Sequence, residues 1–121
     1  MIIQEASDHL RVEVSGEWTP GKEAADAKRI WSQVADVCRT KGITRILSVW
    51  KVPGHLPVFA AYDIASSASE TGWDWRFKLA EVHLYEERFK DSLFTEIVAT
   101  NRGYSVKMFD NEQDAKKWLF E

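Results

Sequence analysis

With a single cysteine, Cys38, in 121 residues, the chain cannot build an internal disulfide framework, which fits a reducing compartment. Apolar runs are short as well, none approaching the roughly 20 residues needed to cross a bilayer. The opening Met1-Ile2-Ile3-Gln4-Glu5 has neither the basic segment nor the long apolar segment of a secretory leader, so the expected location is cytoplasmic. An excess of positive charge is missing too: 16 Lys and Arg stand against 19 Asp and Glu, and no face-long basic cluster occurs. Nucleic acid is therefore not expected as a partner. Also absent are a G-x-G-x-x-G turn, a Walker loop, a nucleophile elbow and a Cys-x-x-Cys pair. Nucleotide hydrolysis, acyl transfer and thiol redox chemistry thus lack their usual supports, and no enzyme activity is expected.

What is there reads as one α/β domain over residues 1–121. Ile2 and Ile3, a polar turn at Ser7-Asp8-His9, and Leu10, Val12 and Val14 alternating with Arg11, Glu13 and Ser15 describe an opening β-hairpin. Thr19-Pro20 is read as a helix start, with Thr19 capping and Pro20 in the first position. Ala27, Ile30, Trp31, Val34, Val37 and Cys38 then recur at three- and four-residue steps, and Gly42 closes that helix. Cys38 on this stripe is expected to be a buried structural thiol.

Ile43 to Trp50 is nearly continuous in apolar residues, the pattern of a strand covered on both faces, and Pro53-Gly54-His55-Leu56-Pro57 breaks it. A helix is expected from about Pro57 to Glu70 with Val58, Ala61, Tyr62 and Ala65 inward, closed by Thr71-Gly72. A strand follows through Phe77, Leu79, Ala80, Val82 and Leu84, then a helix whose inward stripe is Phe89, Leu93, Phe94, Ile97 and Val98. Arg102-Gly103 ends it, Tyr104 to Phe109 forms the last strand, and Asn111 caps a final helix carrying Ala115, Trp118 and Leu119. The order β-β-α-β-α-β-α-β-α predicts a mostly parallel five-stranded sheet with an antiparallel edge supplied by the first hairpin.

That order, with its opening hairpin and its break after the central strand, resembles the STAS fold of SpoIIAA-type anti-sigma-factor antagonists. The tail sharpens the likeness: Ala99-Thr100-Asn101-Arg102-Gly103-Tyr104-Ser105-Val106-Lys107-Met108-Phe109, then Asp114-Ala115 and Trp118-Leu119, is similar to the ending of small bacterial SpoIIAA-like proteins grouped with STAS and Sec14-like domains. The resemblance spans the chain by topology and its last quarter by motif. It implies an interaction module whose phosphorylatable Ser begins the helix after the central strand. Here that stretch is Gly54-His55-Leu56-Pro57, with no Ser or Thr until Ser66, so the phospho-switch does not carry over.

Open α/β sheets bind ligands beyond the C-terminal ends of their strands. Pro53, Gly54, His55, Leu56, Tyr85 and Arg88 fall on that edge and form the candidate binding surface, for a protein partner or for a second copy in a homodimer. The alternative is a Sec14-like carrier holding a lipid or other small apolar ligand in a pocket lined by Phe59, Tyr62, Phe89 and Phe94. No cofactor is expected. Glu81 and His83 are two apart on a strand and share a face, but two groups make only half a metal site, so no metal is expected. Trp73-Asp74-Trp75 offers two aromatic anchors, with Trp31, Trp50 and Trp118 assigned to the core and the other pair to a sheet end.

Overall fold

The period-two pattern at the start makes the expected hairpin in the computed structural model, which describes residues 1–121. Strand β1 (Ile2–Glu5) pairs antiparallel with β2 (Leu10–Ser15), Ile2 opposite Glu13 and Glu5 opposite Leu10. Leu10, Val12 and Val14 are buried while Arg11 and Glu13 stay half-exposed, as alternation requires. Strands β3 (Arg45–Lys51), β4 (Lys78–His83) and β5 (Ser105–Phe109) follow in parallel, and the sheet runs β1-β2-β3-β4-β5. The protein is thus α/β, with the mostly parallel sheet and antiparallel edge expected.

This strand order decides where the helices go. Three right-handed crossovers advancing in one direction place their helices on one face of the sheet. These are α1 (Glu23–Lys41), α2 (Val58–Ser66) with a 3₁₀ turn at Ala68–Thr71, and α3 (Glu86–Asn101). The second face is covered by α4 (Glu112–Leu119) alone, which seats Ala115 and Leu119 on Leu47, Val49, Ala80 and Val82. Covering on both sides explains why β3 reads as a nearly continuous apolar run. No helix is long and apolar enough to cross a membrane.

The α1 stripe buries Ala27, Trp31, Val34, Ala35 and Cys38, and Gly42 ends the helix in the left-handed region at φ 69°, its N–H returning to Cys38 O. Asn111 caps α4 by accepting from Asp114 N–H at 2.8 Å. Cys38 is fully buried, and that burial pushes its thiol up to about 11. The native protein is therefore expected to resist iodoacetamide at neutral pH, reacting only as fast as it unfolds. Labelling at the rate of a free thiol would contradict this placement. Stability carried by the protonated thiol is held below the unfolded-state value of 9.0 and is lost as the pH rises toward 11.

Four local expectations need correction. Thr19-Pro20 does not start α1. Pro20 and Gly21 occupy the middle of a turn closed by Lys22 N–H to Thr19 O at 3.1 Å, with Gly21 at φ 86°, and the helix begins at Glu23 without a side-chain cap. Pro followed by Gly satisfies a type II turn, which ends before the helix. On α2, Ala60, Ala61 and Ala65 face inward, whereas Val58 and Tyr62 face outward. On α3, Arg88, Ser92, Val98 and Ala99 are buried while Leu93, Phe94 and Ile97 are exposed. Among the tryptophans, Trp73 joins the core and Trp118 is only half-buried against Phe109.

Candidate functional site

The loop after β3 is tied to the first turns of α3. Asp91 Oδ2 accepts from Leu56 N–H at 2.7 Å and from His55 Nδ1 at 2.9 Å, Glu87 accepts from Gly54 N–H at 3.2 Å, and Arg88 donates to Pro53 O at 3.4 Å. The N–H groups of Glu87 itself and of Gly54 hold the Glu87 carboxyl below its ordinary range. Five of the six edge residues expected from the sequence are thus gathered by one set of contacts, with His55 projecting into solvent and Leu56 buried. Tyr85 stands apart, exposed at the start of α3.

Arg88 leads inward. It is 5% exposed and reaches the helix-covered face of β4, where Leu79, Glu81 and His83 alternate with the opposite-facing Ala80 and Val82. His83 Nε2–H donates to Glu81 Oε2 at 2.6 Å, and both side chains are buried. The imidazole stacks on Trp50, centroids 5.8 Å apart, and Trp50 packs against Trp18 and Trp31 at 5.4 and 5.5 Å. Trp50 Nε1–H is satisfied by Ser48 Oγ at 3.1 Å. His83 Nδ1, Arg88 Nε and Thr95 Oγ1 are buried and have no hydrogen-bond partner.

These groups line a small cavity of about 40 Å³ between the sheet and α1, α2 and α3. A neighbouring cavity of about 50 Å³ is mostly apolar, with Leu79, Ala99, Val106 and Met108 in its wall, and shares Trp31, Ile64, Glu81 and Thr95 with the first. The lining expected for a carrier pocket is not what stands there. Phe59 is 77% exposed, and Tyr62 and Phe94 also lie on the outer surface. Phe89 packs at the margin of the core and borders a separate cleft with Leu84, Lys90 and Asp110. No group of three His, Cys, Asp or Glu side chains comes close enough to hold a metal ion.

Helix α3 is therefore turned relative to the stripe expected of it: Val98 is inward and Phe89 packs on the core as expected, while Leu93, Phe94 and Ile97 point out. Arg88, Ser92 and Thr95 fall at i, i+4 and i+7, which is itself a helical face, and that polar face is the one turned to the interior. Sequence reasoning followed the apolar stripe and so missed Ser92 and Thr95, although the same spacing rule marks them. Trp18 was missed because it lies in an irregular segment with no period to place it.

The displaced apolar side chains form a surface. Val58, Phe59 and Tyr62 of α2 and Leu93, Phe94 and Ile97 of α3 are exposed on two helices that pack together. Arg102 spans them at one end, its guanidinium 5.6 Å from the Tyr62 ring and donating to the phenol oxygen at 3.4 Å.

No family model matches the chain, and no curated protein matches it either.

Proposed function

We propose that the domain is a non-enzymatic interaction module of STAS-like build, acting in the cytoplasm and docking through the outer face of α2 and α3 beside the sheet's C-terminal edge. The observation that supports this reading is the set of large apolar side chains, Val58, Phe59, Tyr62, Leu93, Phe94 and Ile97, left in water on adjacent helices. Contiguous apolar surface of that kind marks association sites, because its exposure is otherwise unfavourable. Apolar faces are characteristic of permanent interfaces, so the occupant is a second copy of the chain. Residues Pro53 to Leu56 adjoin the start of α2 and flank the contact.

Phe59→Asp and Ile97→Asp test this. Each is expected to weaken self-association by about 30-fold, the equivalent of about 2 kcal/mol for a central apolar contact, read by sedimentation velocity. Both positions are exposed, so the circular dichroism spectrum stays that of the wild type. Unchanged association in both variants would refute the surface.

A second reading, the carrier of a small apolar ligand, rests on the mostly apolar cavity between the sheet and the helices, which at about 50 Å³ would have to widen to admit one. Its lining is Ile64, Leu79, Val106 and Met108 rather than the outer aromatics. Under that reading native mass spectra of gently purified protein carry a bound molecule, which is lost when Ala99→Phe fills the space. Spectra free of adducts would remove it.

A further inference from the structure

A buried cation normally has an anion within reach, because removing an ion from water is costly unless a counter-charge replaces the solvent. Arg88 breaks that rule. At 5% exposure its one side-chain hydrogen bond goes to a backbone carbonyl, Pro53 O, and its buried Nε–H has no acceptor. The carboxylates around it are engaged elsewhere: Glu81 with His83, Asp91 with His55 and the Leu56 N–H, and Glu87 with the Gly54 N–H. Glu23 acts on the guanidinium only from a distance. His83, 4% exposed, also carries a buried atom without a partner, Nδ1, and lines the same cavity as Arg88. That cavity is about 40 Å³. The rings around it are packed on one another: Trp50 lies 5.4 Å from Trp18, 5.5 Å from Trp31 and 5.8 Å from His83, and the Arg88 guanidinium lies 5.9 Å from Trp18. No flat molecule slides between them. A water molecule needs roughly 10–15 Å³ of such space, so a guest little bulkier than water is what fits.

We infer that this cavity is a binding site for a monatomic anion, chloride, held between Arg88 Nε–H and His83 Nδ1–H. A spherical ion accepts N–H donors from any direction and needs neither the room nor the fixed planes of a carboxylate or phosphate, and both of its donors here are charge-assisted. His83 takes up a proton as the ion enters: Nε2–H stays on Glu81 at 2.6 Å and Nδ1–H turns to the ion. The added proton cancels the added negative charge, so the buried charge does not change on binding. The charged groups facing the imidazole are Glu81 on its own strand, Arg88 across the cavity, and Glu86, Lys90 and Asp110 around the cleft on its other side, with Glu23 of α1 acting on Arg88. Glu86 and Lys90 pair with each other at 3.2 Å, and the other carboxylates favour the imidazolium. Thr95 takes no part: seven residues beyond Arg88 on α3, it lies roughly 10 Å further along the helix axis, too far for one ion to reach both. The inference does not rest on the association face of α2 and α3.

Sodium chloride and sodium bromide are the probes, exchanged for sodium gluconate at constant ionic strength. Chloride is expected to raise the melting temperature saturably, by several degrees once it exceeds its Kd about 10-fold. Bromide is expected to quench tryptophan fluorescence to a plateau, because a heavy halide held beside three indoles acts from a fixed site rather than by collision, and excess chloride should reverse that quench. Calorimetry in two buffers of different ionisation enthalpy should show about one proton taken up per chloride, with binding loosening as the pH rises. Arg88→Met, which keeps the volume and removes the cation, should abolish the chloride response and the plateau. The wild-type readings stand without the variant should it fold poorly. Equal melting temperatures in chloride and gluconate, or a quench that stays linear in bromide and indifferent to chloride, would overturn the assignment and leave the cavity to water. Chloride binding with no proton uptake, or an undiminished chloride response in Arg88→Met, would overturn it as well.

Discussion

Trp31→Ala is expected to lower the free energy of unfolding by about 3–5 kcal/mol, the cost of removing a large buried aromatic and leaving a cavity. The indole is 8% exposed and sits between Trp50 and Trp73, with ring centroids 5.5 and 5.2 Å away, and Trp73 passes the contact on to Phe77 at 5.0 Å. This chain of edge-on and tilted rings joins α1 to β3 and to the segment before β4. Relaxation after truncation is limited because both chambers already border Trp31, so the new void adds to existing empty space rather than collapsing. Domains of this size have only about 5–15 kcal/mol of stability in total. Urea denaturation followed by circular dichroism would show the midpoint falling by about a fifth or more at unchanged slope. A loss below about 1 kcal/mol would mean that Trp31 is not a keystone of the helix-covered face.

Breaking the buried Glu81–His83 pair on one side is the second large effect. Glu81→Leu strips His83 Nε2 of its acceptor at 2.6 Å, and the ring's other nitrogen has none, so a buried imidazole is left without any partner. The expected loss is about 3 kcal/mol. In the double variant Glu81→Leu with His83→Leu the polar demand vanishes from both sides, and stability should return to within about 1 kcal/mol of the wild type. A double-mutant cycle on the unfolding free energies reads the coupling directly. Additive losses would show that the two side chains are stabilised separately, and the pair would no longer explain why polar groups persist in an apolar face.

The sheet was legible because its signal is local. Period-two alternation at Leu10, Val12 and Val14, and the nearly continuous apolar run from Ile46 to Trp50, are set by one face or two being covered, and both patterns appear in the strands they specify. Helix facing was less legible. Val58 and Tyr62 of α2 and Leu93, Phe94 and Ile97 of α3 were assigned inward together with Ala61, Ala65 and Val98, and only the last three are buried, so the premise that large apolar residues seek the core fails on the outer face. Ala60, Ala61 and Ala65 carry a weaker hydrophobic signal than Val58, Phe59 and Tyr62, yet small residues are what let α2 approach its neighbours closely. The Glu81–His83 contact was within reach of spacing alone, since residues two apart on a strand share a face. That this face is the buried one depends on three crossovers running in one direction, which no single segment encodes. Arg88 was placed at the sheet edge from its position after β4, but its reach into the interior follows from the polar face of α3, Arg88, Ser92 and Thr95, being turned toward the sheet.

That facing of α3 links the two sides of the molecule. Rotating a polar stripe inward puts Arg88, Ser92 and Thr95 against the chamber and, on the same helix, puts Leu93, Phe94 and Ile97 into water. A helix so oriented is unfavourable in an isolated chain, and the self-association proposed above would offset the cost by covering its outer face. The most direct test of the association claim is sedimentation equilibrium of the wild-type protein across a wide concentration range. The result predicted is the mass of two 13.9 kDa chains, giving way to one only at high dilution. A mass of one 13.9 kDa chain at every concentration would contradict it.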